Sequence, residues 1–239
     1  MSVVAPSFRA RVRAGIEGPV AGVFGRLGLT PNALTLIGFG IAVVAAWFAS
    51  QQFWLVAGLL VAFGAVFDLF DGALARATNK VSRFGAFMDS TFDRAGEAVV
   101  YIGIAFGLFA PTFIGDARLS IPYNNVHTDA GAFWAILAMA SSFMVSYTRA
   151  KSESLGFASG TGMANIGLAP REVRMVILTI GLVVAGLGGA LTANFGDTYW
   201  WWTLVASLAL ITILATITTI QRILFVYRQS KSSNQEVQE

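Results

Sequence analysis

Long apolar blocks separated by short polar segments dominate the chain. Six of these blocks are long enough to cross a bilayer as a helix, which takes about 20 residues. They fall near residues 33–50, 53–75, 84–110, 131–149, 172–192 and 199–226. Six crossings leave both chain ends on the same side of the membrane. The pattern therefore predicts an all-α, polytopic membrane protein with six transmembrane helices.

The segments outside the blocks predict the domain organisation. Residues 1–32 mix arginines with apolar residues, which predicts an amphipathic juxtamembrane helix on the membrane surface. We expect one six-helix membrane domain over 33–228 and a disordered polar tail over 229–239. Basic residues concentrate before the first block and after the second, fourth and sixth. Since such residues stay in the cytoplasm, both termini are predicted to lie there, with the protein in the cell (inner) membrane.

Composition supports this class and narrows the possible chemistry. Of the 239 residues, 56% are hydrophobic and 12% are charged, whereas a soluble domain averages about 25% charged residues. Cysteine is absent and there is a single histidine, so acid–base or metal chemistry must rest mainly on carboxylates. The net charge is +3, but the basic residues adjoin apolar blocks. This placement favours a lipid bilayer over nucleic acid as the partner.

Four aspartates in the second and third blocks form two pairs. Asp68 and Asp71 are three residues apart, and Asp89 and Asp93 are four apart, so each pair lies on one helix face. Charges in a membrane helix are costly unless they are paired, bound to metal or exposed to water. Because a short link joins the two helices, we expect antiparallel neighbours whose carboxylates converge near the cytoplasmic surface. Carboxylate ligands without His or Cys favour Mg²⁺, Mn²⁺ or Ca²⁺ over zinc.

Three further residues beside the aspartates suit a phosphorylated ligand. The guanidinium of Arg76 can hold a phosphate, and Gly72 and Gly85 would let a ligand approach the backbone. Together with metal, these features describe a pyrophosphate site. The alternative is that the aspartates only pair with neighbouring arginines such as Arg83 and Arg94.

The stretch over residues 68–93 carries a family resemblance. It matches D-x2-D-G-x2-A-R-x8-G-x3-D-x3-D, the signature of CDP-alcohol phosphotransferases, at every fixed position. Pro31 and Asn32 also resemble the start of that family's first membrane helix. The resemblance implies an enzyme of phospholipid biosynthesis that moves a phosphatidyl-type group from a CDP-linked lipid to a small alcohol and releases CMP. It also implies a homodimer with two Mg²⁺ or Mn²⁺ ions.

The resemblance further implies roles for individual residues. Asp68, Asp71 and Asp89 would hold metal, while Asp93 would both lie at the metal and act as the general base on the acceptor hydroxyl. The residues that would bind the CDP-lipid are Gly72, Ala75, Arg76, Gly85, Pro31 and Asn32.

The acceptor must be inferred from the basic residues around the loop after the fourth block. These cations could bind a phosphate on the acceptor, or they could only reflect cytoplasmic placement. The pattern S-Y-x-[KR]-A-[KR]-x-E, followed by R-x-x-R, resembles phosphatidylinositol-phosphate synthases and their archaetidylinositol-phosphate counterparts. That resemblance implies inositol phosphate as the acceptor. Its phosphate would be bound by Lys151, Arg171 and Arg174, with Arg149 as a further candidate.

Two other functions stay open from the sequence. Residues 156–170 form a long loop rich in Gly, Ala and Ser, which departs from that subfamily. Glycerol 3-phosphate also presents a phosphate, and its use would make the chain a phosphatidylglycerophosphate synthase. An ion-coupled membrane transporter is the alternative from another class, because intramembrane acids often mark ion pathways. A transporter predicts acids spread through the bilayer depth, whereas these acids cluster toward one face.

Glu97, one turn beyond the last aspartate, would pair with Arg94 or tune the site.

Overall fold

The computed structural model describes Phe24 and residues 28–109, 125–157, 166–192 and 201–236. Within these ranges all regular structure is α-helical, as the apolar blocks predict. The helices are α1 (Pro31–Ser50), α2 (Trp54–Ala77), α3 (Arg83–Phe109), α4 (Asn125–Ser154), α5 (Arg171–Thr192) and α6 (Trp201–Glu236).

Local sequence signals fix the helix ends nearest the aspartates. The Oγ1 of Thr30 caps α1 by accepting a hydrogen bond at 3.2 Å from the backbone N–H three residues later. Pro31 occupies the first helical position, where a missing N–H costs nothing. After α2 the chain turns at Asn79, which has a left-handed φ of 54°. The Oγ of Ser82 then accepts a 2.9 Å hydrogen bond from the backbone N–H of Gly85 in the first turn of α3. The link between α2 and α3 is therefore short, as expected.

The six helices contact one another in a closed order. Helix α1 packs against α2 and α3, α2 against α5, α5 against α6, α6 against α4, and α4 against α3. Buried apolar side chains from all six form a common core. The expectation that α2 and α3 are direct neighbours is wrong, because these helices make at most marginal contact with each other. Helix α1 packs against both of them and supplies the shared contact surface.

Small residues allow the closest helix contacts. Gly103 of α3 lies directly against the backbone of Ala46 in α1, and Gly186 of α5 lies against the backbone of Leu55 in α2. A Cβ atom at either glycine would collide with that backbone. Helices in lipid associate through close packing of this kind. The lipid tails are as apolar as the side chains, so moving a side chain from lipid into a helix contact gives little hydrophobic stabilisation.

The outer surface and the helix lengths describe a multi-pass membrane protein. Within the described ranges, five helical segments are long and apolar enough to cross a bilayer: Pro31–Ser50, Trp54–Ala77, Ala130–Ser154, Arg171–Gly189 and Trp202–Lys231. Helix α3 has 27 residues, but Asp93, Arg94 and Glu97 interrupt its apolar part and keep it out of this group. Large apolar side chains such as Phe106 and Ile180 are exposed on the outside.

The structure corrects the prediction for the C-terminal end of the chain and leaves the prediction for the N-terminal end untested. Helix α6 continues to Glu236, so the tail expected to be disordered from residue 229 is helical as far as that residue. Once packing against α4 and α5 has nucleated the helix, polar residues extend it at little cost. The amphipathic helix predicted for residues 1–32 falls almost wholly outside the described residues.

Candidate active site

The four aspartates lie on α2 and α3, with α1 packed against both helices. Asp71 is almost fully buried at 5% exposure, and Asp68, Asp89 and Asp93 are partly buried. The carboxylates of Asp68 and Asp89 are near enough for their charges to act on Asp71. The same two carboxylates act on Asp93. The structure therefore brings the four predicted carboxylates into one cluster, although their helices are not packed face to face.

Helix α1 contributes a residue that the sequence analysis missed. The hydroxyl of Thr35 donates a buried 2.7 Å hydrogen bond to Oδ2 of Asp71. One helical turn earlier, Pro31 begins the helix. Gly38, nearly one turn further on, leaves room for Asp68, since a Cβ there would be 3.1 Å from Oδ1 of Asp68. A polar residue one turn after the proline, within an otherwise apolar block, is the signal that could have identified Thr35.

Arg171, the first residue of α5, enters the aspartate cluster. Its Nη2 donates to Oδ2 of Asp68 at 2.8 Å, and its Nη1 lies 3.0 Å from Oδ1 of Asp93. One guanidinium therefore bridges a carboxylate of α2 and a carboxylate of α3. The sequence predicts Arg171 at the acceptor phosphate, whereas in the structure its guanidinium contacts Asp68 and Asp93.

Arg174, three residues further along α5, has a different setting. Its Nε and Nη2 donate to the two carboxylate oxygens of Glu97 at 2.9 and 2.8 Å, and its Nη1 donates to the carbonyl of Ala169 at 2.9 Å. The side chains of this pair are only 1% and 2% exposed. All three guanidinium nitrogens of Arg174 thus have protein partners in this structure, and its expected role as an acceptor-phosphate ligand stays a prediction. Glu97 pairs with Arg174 rather than with Arg94, whose guanidinium donates to the carbonyl of Ser90.

The end of the long loop is fixed just before these arginines. The Oγ1 of Thr218 in α6 accepts hydrogen bonds at 3.0 Å from the backbone N–H groups of both Leu168 and Ala169. Arg222, also in α6, donates from Nε to the carbonyl of Ile166 at 3.0 Å. Contacts with α6 therefore anchor the segment that leads into α5, which holds the start of that helix in place.

The residues expected to bind CDP-lipid gather in one groove with a volume of about 270 Å³. The groove passes Gly72 and Gly85, whose missing side chains keep it open. A Cβ at Gly72 would be 3.3 Å from Nη1 of Arg76, and one at Gly85 would be 3.4 Å from Oδ1 of Asn32. Asp71, Asp89 and Thr35 line the same groove. All six expected residues contribute to its wall: Pro31, Asn32, Gly72, Ala75, Arg76 and Gly85.

A second, much smaller cavity of about 30 Å³ borders Asp68 and Asp93. Its polar wall contains Asp68, Asp93, Glu97 and Arg171, and the rest of the wall is largely apolar. Thr35 lines both cavities. The carboxylates are thus divided, with one member of each helix pair facing the groove and the other facing the second cavity.

Lys151 and Arg149 lie near the end of α4 and are exposed. Arg149 forms a 2.9 Å ion pair with Glu153, and both side chains of that pair are more than 40% exposed. Among the described residues, no ion pair joins either Lys151 or Arg149 to the aspartates. The expected contact of these two cations with the acceptor phosphate therefore stays a prediction.

The chemistry of the cluster fits hard divalent metal ions. Within the described part of the chain, no three acidic side chains are close enough to hold one ion as they stand. The bridging guanidinium of Arg171 nevertheless shows that the space between Asp68 and Asp93 accommodates a positive charge. Oxygen donors without nitrogen or sulfur are those that Mg²⁺ and Mn²⁺ prefer.

Comparisons with known proteins identify the family of the chain. Residues 28–221 match the model of the CDP-alcohol phosphatidyltransferase family. The archaetidylinositol phosphate synthase of Pyrococcus horikoshii is 37% identical over 174 residues, which cover 72% of this chain and 80% of that protein. The phosphatidylinositol phosphate synthase of Cutibacterium acnes is 32% identical over 225 residues, covering 92% and 96%.

Solved structures share the fold. The crystal structure of Mycobacterium tuberculosis phosphatidylinositol phosphate synthase with CDP-DAG bound has a TM-score of 0.69 and 25% identity, covering 89% of this chain and 94% of that one. The same enzyme in complex with manganese and citrate has a TM-score of 0.68 and 26% identity, covering 89% of both chains.

Proposed function

The chain belongs to the CDP-alcohol phosphatidyltransferase family, and from this premise we propose that it transfers a phosphatidyl-type group from a CDP-linked lipid to inositol phosphate. The observation that carries the proposal is the groove that gathers all six expected CDP-lipid residues beside Asp71 and Asp89. Relatives named as inositol phosphate lipid synthases favour this acceptor over glycerol 3-phosphate. Family membership likewise favours a phospholipid synthase over an ion-coupled transporter.

We assign the CDP head group of the lipid to the groove. Gly72 and Gly85 present bare backbone, against which the planar cytosine ring could lie. Arg76 reaches back toward Gly72 and would hold a phosphate oxygen through its guanidinium. Structural work on the Mycobacterium tuberculosis relative, which has CDP-DAG bound, supports a lipid-nucleotide ligand for this fold.

The aspartates are the proposed ligands of two divalent ions, Mg²⁺ or Mn²⁺. When bound, such ions would neutralise the charge that develops on the departing CMP. Thr35 would orient the carboxylate of Asp71 by donating to its Oδ2. The manganese-containing structure of the relative supports divalent metal use.

Asp93 is the proposed general base. It accepts the proton of the acceptor hydroxyl, and that oxygen attacks the phosphorus that carries the lipid. The bond from this phosphorus to the bridging oxygen of CMP breaks, and CMP leaves with the bonding electron pair. A phosphodiester between lipid and acceptor remains. Since Arg171 contacts Asp93 in this structure, that contact has to open before Asp93 can act.

The acceptor phosphate is proposed to meet Arg171 and Lys151, with Arg149 at the edge of the site. Lys151 and Arg149 are exposed, and Arg171 is the cation nearest the proposed base. Arg174 takes an indirect part, because its buried pair with Glu97 fixes α5. Loss of Lys151 would therefore weaken acceptor binding without affecting the CDP-lipid.

The membrane arrangement is proposed to follow the charge pattern. Helix α3 would be the sixth crossing, because its charged groups face the cluster and find partners there. Both termini and the active site would be cytoplasmic, in the inner membrane, with residues 1–32 lying on its surface. A homodimer is expected from the family.

The test is a reaction with purified protein, CDP-diacylglycerol and either Mg²⁺ or Mn²⁺. Inositol phosphate, glycerol 3-phosphate, inositol and serine are supplied separately while CMP release is followed. We expect release with inositol phosphate alone. Release with glycerol 3-phosphate alone would refute the acceptor assignment. Absence of release with every alcohol would refute the transferase itself.

A further inference from the structure

Arg171 and Arg174 lie on the same helix but are bound very differently. Arg174 is 1% exposed, and its three nitrogens all have hydrogen-bond partners. Arg171 is 27% exposed, and only its two terminal nitrogens contact carboxylates. Its Nε is buried and has no hydrogen-bond partner among the described residues. A guanidinium carries five N–H donors in a fixed fork, so Arg171 is held but incompletely satisfied.

The charges around Arg171 depend on the metal. The four aspartates carry four negative charges, and the Glu97–Arg174 pair is neutral within itself. In this structure the guanidinium of Arg171 contacts both Asp68 and Asp93. Two divalent ions would balance the four carboxylates completely. The aspartates would then no longer offer net negative charge to Arg171, and its guanidinium would require an anion from elsewhere.

We infer that Arg171 is an exchangeable cation that holds Asp68 and Asp93 when metal is absent and turns to the phosphate of the acceptor when metal is present. The inference rests on the proposed function and deepens it. Binding of metal would release Arg171 from the aspartates. This release prepares the acceptor site and frees Asp93 to accept a proton. Metal binding and acceptor binding are therefore coupled through one side chain, and this coupling must be reciprocal.

Binding measurements on the full-length protein in detergent test the inference without turnover. Inositol phosphate binding is measured by calorimetry with and without saturating Mn²⁺, and Mn²⁺ binding is measured by the electron paramagnetic resonance signal of the free ion. We expect Mn²⁺ to tighten inositol phosphate binding by about tenfold or more, and inositol phosphate to tighten Mn²⁺ binding by the same factor. In Arg171→Gln, Mn²⁺ alone binds more tightly than in the unaltered chain, and the coupling factor falls to about one.

The matched control is Arg94→Gln. Arg94 acts electrostatically on Asp89 and Asp93, while its described hydrogen bond goes to the carbonyl of Ser90. This variant also removes a nearby positive charge, but the coupling factor should stay as in the unaltered chain. Coupling that persists in Arg171→Gln, or is lost equally in Arg94→Gln, would overturn the exchange.

A second anion separates this inference from the acceptor assignment. If glycerol 3-phosphate shows the coupling and inositol phosphate does not, the exchange stands and the proposed acceptor fails. If neither phosphate ester is coupled to Mn²⁺ in the unaltered chain, the exchange is refuted, whatever the CMP-release assay shows.

Discussion

Replacing Glu97 with Gln removes one charge from the most deeply buried ion pair described in this structure. The change keeps the size of the side chain but leaves Arg174 charged at 1% exposure. Removing one partner of a buried ion pair destabilises a protein by about 3–5 kcal/mol, because the other charge is left uncompensated. For a chain of this length, each kcal/mol lowers the melting temperature by roughly 2–4 °C. The expected decrease for Glu97→Gln is therefore roughly 6–20 °C.

Thermal unfolding in detergent, followed by tryptophan fluorescence, measures this effect. The matched control is Glu153→Gln, which breaks an exposed pair whose side chains are 44% and 43% accessible. Exposed pairs contribute about 0–1 kcal/mol, so this control should melt within roughly 4 °C of the unaltered protein. The double variant Glu97→Gln with Arg174→Met removes both charges and should recover much of the lost stability, as uncharged replacements of buried pairs often do.

The same experiment separates two roles for Arg174. As a buried positioning residue, it should affect stability strongly when altered. As a direct phosphate ligand, it should leave the melting temperature nearly unchanged and raise KM for inositol phosphate when altered. If Glu97→Gln lowers the melting temperature no more than Glu153→Gln does, the buried pair does not stabilise the fold and Arg174 returns to the candidates for phosphate binding.

Three further predictions concern the site. Asp93→Asn should abolish CMP release while leaving CDP-lipid binding measurable by calorimetry, and retained turnover would exclude Asp93 as the base. Thr35→Val removes the hydrogen bond to Asp71 and should weaken Mn²⁺ binding by about 10–100-fold, whereas Thr35→Ser keeps the hydroxyl and should bind nearly normally; equal Mn²⁺ affinity in both variants would contradict this role. Gly85→Leu should fill the groove and weaken CDP-lipid binding, while Gly40→Ala, at a position with nothing within 4 Å, should bind as the unaltered chain does; normal binding by Gly85→Leu would place the lipid head group elsewhere.

Much of the fold could be predicted because each helix has its own apolar block. The predicted and observed starts of α2, 53 and Trp54, differ by one residue, since the apolar block itself begins there. The arrangement of the helices could not be predicted in the same way. A short link suggested that α2 packs on α3, whereas the closest contacts run through α1, where small residues such as Ala46 meet Gly103. Such packing depends on residues far apart in the chain.

The site, like the fold, could be predicted from the sequence only in part. The fixed spacing of the signature sufficed to predict that Asp71, Gly72 and Gly85 lie in one groove, because these residues follow one another on two helices. The partners of the arginines could not be identified from spacing. A basic residue at a helix end is compatible with a phosphate, a lipid head group or a distant carboxylate, and only the fold shows that Arg174 meets Glu97 across 77 positions.

The long separation between opposite charges has a consequence for how the chain is made. Arg171 follows Asp68 by 103 positions, so α2 and α3 are synthesised well before the cations that accompany them. Until α5 emerges from the ribosome, the acidic helices carry charges that lipid disfavours. If α3 is the sixth crossing, as proposed, we expect its stable insertion to wait for α5, and truncation before Arg171 should leave a chain that the cell's quality control removes.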